Sequence, residues 1–188
     1  MDSNWEELKA GNKQALVKIY KEYYEELFNY GFRICKREEL TRDCIQDLFI
    51  KIWLKRSKFS NIENPKPYVF RILRNTILDG LRKRPEHSEL STMELIDPML
   101  SKQDFIISNE LTSGMRAKLN LALDTLTKRQ KEIIFLKFYN GLTYEEISIV
   151  TSIKYQSVRN LSSSALIKLK KNMIPIALLV SHILVFDM

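Results

Sequence analysis

The chain has 188 residues, 45% of them apolar and 28% charged, a size and balance that suit a water-soluble protein of one or two domains. Its net charge of +7 is unevenly placed, with +8 over residues 51–85 and +6 over residues 127–172 around a stretch, residues 86–126, at −4. Two basic blocks of this kind fit a nucleic-acid binder with two contact patches, and equally fit the solvated faces of an ordinary basic protein. Cys35 and Cys44 form no CxxC pair and lie far in sequence from His87 and His182, which excludes a patterned metal site and fits reduced thiols in the cytosol. No phosphate-cradling GxxxxGK[ST], no HExxH and no Gly-rich loop after a strand is present, so no catalytic constellation stands out and no cofactor is expected.

Only five glycines and five prolines interrupt the chain, and its apolar residues recur mostly at helical spacing. The expected fold is all-α: two small helical lobes joined by a flexible linker, the C-terminal lobe containing a helix-turn-helix. The start, "MDSNWEELKAGN", is polar and acidic and lacks the features of a secretion signal. From Asn12 to Lys36 a helix is expected, with Leu16, Ile19, Tyr20, Tyr23, Tyr24, Leu27, Gly31 and Ile34 along one stripe. The tyrosines there are read as core and boundary packing. A second helix, Glu39 to Arg56, buries Ile45, Leu48, Phe49 and Ile52. Its opposite face carries Asp43, Gln46, Asp47 and Ile50 at i, i+3, i+4 and i+7, which suits either a docking surface or a plain solvated face.

The basic loop "KRSKFSNIEN" follows. Asn64 is placed to cap the next helix, with Pro65 at its first position. That helix buries Val69, Phe70, Leu73, Ile77 and Leu81, and its other face is expected to show Arg71, Arg74, Asn75, Leu78 and Arg82. Loop and helix together make one cationic surface of the kind that tracks phosphates. Residues 85–105, with two prolines and no period, read as a linker. A helix from about Ile106 to Leu123 opens the second lobe. Thr127 and Gln130 then fit a capping box, ahead of a helix that buries Ile133, Ile134, Leu136 and Phe138 and stops at Gly141. Thr143 and Glu146 fit another, before a short helix that buries Ile147 and Val150. A turn at Thr151–Ser152–Ile153 leads to the last helix, with Val158, Leu161, Ala165 and Leu169 inward. Its exposed start presents Lys154, Tyr155, Gln156, Arg159, Asn160 and Ser163. Arg and Asn side chains can each pair twice with a base edge in the major groove, while Lys and Ser can hold phosphate. Such an arrangement reads as a helix-turn-helix. The tail, "MIPIALLVSHILVFDM", is strongly apolar but shorter than the roughly 20 residues that a membrane-spanning helix needs. Packing onto the last helix and contact with an inhibitory or membrane-proximal partner are both open to it.

Three blocks in order, "TRDCIQDLFIKIW", "PYVFRILRNTILDGLRKR" and "LDTLTKRQKEIIFLKFYNGLTYEEIS", resemble the sigma-70 family of bacterial transcription initiation factors. The two-lobed form is similar to the extracytoplasmic-function (ECF) subfamily. The resemblance implies an N-terminal lobe at residues 1–84, a linker at 85–105, a C-terminal lobe at 106–172 and an apolar tail at 173–188. It implies that Asp43, Gln46, Asp47 and Ile50 dock on core RNA polymerase. It places Phe59, Asn61, Arg71, Arg74 and Asn75 on the single-stranded −10 promoter element, and Lys154, Tyr155, Gln156, Arg159, Asn160 and Ser163 on the −35 element as duplex. Promoter DNA, core polymerase and an anti-sigma factor are the implied partners, with no small-molecule substrate and no enzyme activity, in the cytoplasm. Some positions depart from the family pattern: Arg42 where an acidic residue is usual, Thr127 where Pro is common, Ser152 for the usual turn Gly, and Lys154 for a common Ser cap. From the residues alone, a self-sufficient helix-turn-helix regulator and a protein-interaction adaptor stay as alternatives.

Overall fold

The computed structural model describes residues 3–59, 64–82, 119 and 121–186, and the side chains of that set apart from Lys58, Phe59 and residues 172–186. Asn61, the linker 85–105 and residues 106–118 and 120 of the helix expected from Ile106 to Leu123 lie outside the described residues; of that helix, residues 119 and 121–123 are helical. All regular structure among the described residues is helical. The elements are α1 (Ser3–Lys9), α2 (Lys13–Cys35), α3 (Glu38–Leu54), a 3-10 turn (Arg56–Phe59), α4 (Lys66–Arg82), α5 (Lys128–Phe138), α6 (Tyr144–Thr151) and α7 (Tyr155–Phe186). The chain divides into two compact units, residues 1–98 with 145–152 and residues 99–144 with 153–188.

In the first unit α2, α3 and α4 pack pairwise, and α1 lies on α2 and the 3-10 turn. The short α1 is an element that the apolar spacing did not foretell. It is anchored by Trp5 and Leu8, both buried, with the Trp5 ring edge-on to Tyr23 at 6.3 Å. Gly11 turns the chain with φ +88°, a left-handed value that suits a residue without a β-carbon. Asn12 then caps α2, its side chain accepting from the Gln14 amide at 2.9 Å. At the other end Lys36 takes the left-handed conformation and its amide donates to the Phe32 carbonyl, which closes the helix. Asn64 starts α4 as expected, accepting from the Lys66 amide at 3.1 Å.

The core of this unit contains the expected Ile19, Leu27, Ile34, Ile45, Leu48, Phe49, Ile52, Val69, Phe70, Leu73, Ile77 and Leu81. It also contains Tyr30, whose ring lies 5.3 Å from that of Phe70. Of the α2 tyrosines, Tyr20 is exposed and Tyr23 and Tyr24 are half-buried, so they edge the core. The three helices meet at Gly31. A β-carbon there would stand 2.9 Å from Thr41 Cγ2, 3.0 Å from Ile77 Cδ1 and 3.5 Å from Leu73 Cδ2. Thr41 cannot easily retreat, because its hydroxyl donates to the Arg37 carbonyl at 2.8 Å and lies 3.2 Å from Cys35 Sγ.

In the second unit α5 packs on α7. Thr127 and Gln130 form the expected capping box, with the Gln130 amide donating to Thr127 Oγ1 and the Thr127 amide to Gln130 Oε1. Two expectations on α5 change. Phe138 is exposed, and Phe135 takes the buried place, stacked on Tyr139 at 4.5 Å. On α7, Val158 and Ala165 are buried as expected, Leu161 and Leu169 are half-buried, and Ser162 is fully buried, 3.2 Å from the Tyr144 hydroxyl. The backbone of α7 continues without a break to Phe186, so residues 173–186 extend the last helix instead of folding back onto it.

The junction at Gly31 predicts opposite signs for two glycine substitutions. Alanine in a helix interior gains about 1 kcal/mol over glycine, and overpacking costs about 1–3 kcal/mol. Gly31→Ala is expected to lower stability, since the stiff Thr41 stands in the way, and Gly31→Val to lower it further. Gly80→Ala is expected to raise stability, since its β-carbon would meet only the mobile tip of Leu40 at 3.2 Å. Urea denaturation of the variants gives the comparison, and equal stability for the two alanine variants would show slack at the junction.

A pH dependence follows from Cys44. Burial pushes its thiol up from 9.0 to about 11, with nearby Cys35, Asp47 and Asp43 adding to the shift and Lys51 opposing it. The unfolded chain therefore loses this proton at lower pH than the folded one. The thiol's contribution to stability is complete below pH 9 and is lost as pH rises toward about 11. Urea melts across that window should show a shallower decline for Cys44→Ala than for the unsubstituted chain.

Candidate functional site

Three exposed faces carry the residues singled out from sequence. The first lies on α3. Asp43, Gln46, Asp47 and Ile50 are all exposed on the side away from Ile45, Leu48 and Ile52. Ile50 is 50% exposed and its neighbour along the helix, Leu54, is 70% exposed. An aliphatic surface bordered by two carboxylates suits a partner helix that offers apolar side chains flanked by cations.

Beside this face runs a groove of about 630 Å³ between α2 and α3, lined by Leu16, Tyr20, Tyr24, Arg42, Gln46, Phe49, Ile50, Trp53 and Leu54. Sequence periodicity gave Gln46 and Ile50 but not the α2 wall or Trp53. Their signal was the run of aromatic residues at the edge of the α2 stripe, which packing alone also explains. Tyr20 packs edge-on against Phe49 at 5.0 Å and tilts toward Tyr24 at 5.1 Å. Burial is the main cause that raises the Tyr20 hydroxyl above its usual range, with Tyr24 adding to it and Arg42 opposing. Arg42 itself pairs with Glu38 and lies 5.8 Å from the Phe28 ring centre.

The second face lies on α4. Arg71, Asn75 and Arg82 are exposed there, as expected. Arg74 and Leu78 are not: Arg74 is only 6% exposed and Leu78 is 3% exposed. Helix α4 packs against both α2 and α3, and the covered arc is wide enough to take in positions 74 and 78. The exposed cationic stripe is therefore narrower than the sequence suggested. Phe59 ends the 3-10 turn that leads toward this face, while its side chain and the whole of Asn61 lie outside the described residues. The Lys51 ammonium donates to Thr76 Oγ1 at 3.0 Å and ties α3 to α4 between the two faces.

The third face is the start of α7. Helix α6 ends at Thr151, Ser152 takes a left-handed φ of 57°, and α7 begins at Tyr155. A non-glycine residue in that conformation bears a cost of roughly 1–2 kcal/mol, so the turn holds a geometry that its sequence does not favour. Lys154, Tyr155, Gln156, Arg159, Asn160 and Ser163 are all exposed, on the side away from Val158, Ser162 and Ala165. Gln156 Nε2 donates to Asn160 Oδ1 at 3.1 Å, and the Arg159 guanidinium stands 5.8 Å from the Tyr155 ring centre. The helix is held from behind: Gln130 donates to Ser164 Oγ at 3.1 Å and accepts from Lys168 at 3.2 Å. A firmly mounted helix with amide and guanidinium groups along one side has the equipment to read a major groove. Among the described residues no cluster of His, Cys, Asp or Glu could hold a metal ion.

Comparison with known proteins matches two family models in order along the chain. Sigma-70 region 2 matches residues 19–85, and Sigma-70, region 4 matches residues 116–169. The chain is 24% identical over 165 residues to RNA polymerase sigma factor YlaC of Bacillus subtilis, covering 86% of this chain and 94% of that protein. It is 22% identical over 162 residues to the ECF RNA polymerase sigma factor SigX of the same organism, covering 82% and 81% of the two chains. Among solved structures, CnrH in complex with the cytosolic domain of CnrY has a similar fold, with a TM-score of 0.58, 20% identity and coverage of 90% and 94%. The sigma factor RpoE in complex with the anti-sigma factor NepR from Bartonella quintana is similar at a TM-score of 0.56 and 21% identity, with coverage of 83% and 94%.

The two arginines of α4 should separate cleanly by substitution. Arg74→Ala removes a buried stem and a buried charge, and is expected to cost about 1–3 kcal/mol of stability. Arg71→Ala on the exposed side is expected to stay within about 0.5 kcal/mol of the unsubstituted chain. Thermal melts of both variants check this, and an unaffected Arg74→Ala would return Arg74 to the exposed stripe.

Proposed function

This chain belongs to the sigma-70 family, as an ECF sigma factor that directs promoter-specific transcription initiation through RNA polymerase, and we propose how its three faces divide that work. The α3 face, Asp43, Gln46, Asp47 and Ile50, docks on core polymerase. The loop after α3 and the exposed side of α4, with Phe59, Asn61, Arg71 and Asn75, hold the melted −10 strand. The start of α7, with Lys154, Tyr155, Gln156, Arg159, Asn160 and Ser163, reads the −35 element as duplex. Arg74 supports the α4 surface from within. Residues 1–84 and 106–172 serve as the two working lobes, with residues 85–105 as the link between them. In this reading the chain works in the cytoplasm and the phosphodiester chemistry is the polymerase's own. The chain supplies the address.

The observation that carries the reading is the presence of both sigma-70 regions, in order, on one chain that exposes an apolar-acidic face and two polar-cationic faces. A base drawn out of the stack costs a few kcal/mol. Phosphate contacts from Arg71, aromatic stacking and amide hydrogen bonds are the means by which a protein offsets that cost. Two lobes on a linker must also be ordered before both elements can be held, and docking on polymerase would provide that order. A self-sufficient regulator would leave the α3 face and the α4 surface without a task. The two solved relatives were captured with CnrY and with the anti-sigma factor NepR, and an anti-sigma protein is a fitting partner for this chain too.

The test is transcription from genomic templates by core polymerase with and without the protein. New start sites are expected on its addition, and no gain on any template would overturn the reading. Asp47→Arg combined with Ile50→Arg should weaken capture of core polymerase at least tenfold. Arg159→Ala should leave that capture intact and lower initiation roughly 5- to 150-fold at promoters whose −35 element it reads, as a bidentate base contact of about 1–3 kcal/mol implies.

A further inference from the structure

We propose that the C-terminal part of α7 binds the surface of an anionic lipid bilayer. The proposal does not depend on the sigma-factor assignment; it rests on one helix and the sequence it carries. Helix α7 is continuous from Tyr155 to Phe186. Its sequence changes character at Lys171. Lys168, Lys170 and Lys171 cluster before that point, and no charged residue occurs from Asn172 to Phe186. The approach to this run is already apolar and cationic at the surface: Ile167 is 68% exposed, Leu166 is 40% exposed, and Lys170 and Lys171 are exposed beside them.

The pattern selects the occupant. Apolar residues stand side by side in this run, from Ile176 to Val180 and again from Ile183 to Phe186. A helix that covers one protein neighbour, or pairs with a second copy of itself, carries apolar residues every third or fourth position and polar ones between. A run with no polar stripe suits surroundings that are apolar on more than one side. Parallel pairing would in addition bring two copies of the lysine cluster together. Fifteen helical residues extend about 22 Å, short of the roughly 30 Å hydrocarbon core, so the run enters one leaflet or lies along it and does not span. Among the described residues no helix is long and apolar enough to cross a membrane. Lysines at the boundary between a polar and an apolar segment are what anionic headgroups attract.

The test is sedimentation of the full chain with vesicles of mixed phosphatidylglycerol and phosphatidylcholine, and with vesicles of phosphatidylcholine alone. Circular dichroism of every variant confirms that it is folded. The full chain is expected to sediment with the mixed vesicles, and less well as salt is raised. Lys170→Glu combined with Lys171→Glu should lower that partition at least tenfold without loss of helicity. Leu179→Asp combined with Leu184→Asp should abolish it, as should ending the chain at Lys171. If the full chain binds mixed vesicles no better than the shortened chain or the double aspartate variant, the proposal fails. Equal binding to both kinds of vesicle, unchanged in the lysine variant, would overturn the part assigned to anionic headgroups. Concentration-dependent dimerisation through residues 172–186 with no vesicle binding would assign the run to a second copy instead.

Discussion

Gly31 leaves room on α2 for Thr41 of α3 and for Leu73 and Ile77 of α4, and the exposed faces of α3 and α4 are set by how those helices meet there. Successive residues of a helix are about 100° apart, so turning α3 by one position would carry a carboxylate toward the core and Ile45 or Leu48 toward water. Thr41 resists such a turn because its hydroxyl is tied to the Arg37 carbonyl and its methyl is pressed against Gly31. Lys51 and Thr76 add a second tie between α3 and α4. An apolar-acidic docking face and a cationic face are thereby held on one packed unit. If, as proposed, one face grips the polymerase and the other a melted strand, that rigidity matters, since slack between them would add to the cost of ordering both contacts.

Much of this was legible in the sequence, for reasons that also mark where legibility ends. Helices α2, α3 and α4 are long enough for the apolar period to repeat several times: every residue expected inside on α3 and α4 is buried, whereas on α2 only Ile19, Leu27, Gly31 and Ile34 of the expected stripe are. Capping at Thr127 and Gln130 and at Asn64 was visible because it depends on neighbours two or three residues away. Helix α1 has only seven residues, too few for a period, and its two anchors matter only through what they meet on α2 and the 3-10 turn. Arg74 was misplaced because a stripe of arginines looks exposed until it is known how many helices clasp α4. Leu78, one turn further along, was the available clue that the covered arc is wide. Ser162 gave no local signal at all: the hydroxyl that meets it belongs to Tyr144, eighteen residues earlier. The tyrosines of the α2 groove wall were seen and assigned to packing, which describes the half-buried Tyr24 better than the exposed Tyr20.

The turn before α7 shows a local preference overruled by its surroundings. Glycine enters the left-handed region without strain, and Ser152 takes that conformation without glycine's freedom. Nothing in the serine favours that choice. The turn leads into α7, whose rotation is fixed by the buried Val158, Ser162 and Ala165. Rotation, in turn, decides which residues face outward.

That outward face is partly assembled in advance. With Asn160 Oδ1 accepting from Gln156, the amide nitrogen of Asn160 remains a donor and the amide oxygen of Gln156 remains an acceptor. Arg159, resting near the Tyr155 ring, keeps its guanidinium plane close to the same surface and can turn toward guanine or phosphate. Groups already paired with each other lose less freedom when they meet DNA than groups that begin unrestrained. On the proposed reading, specificity at this face depends less on how many polar residues it holds than on the Gln156–Asn160 hydrogen bond and the Arg159–Tyr155 contact that order them, and on the rotation fixed behind them by the buried Val158, Ser162 and Ala165.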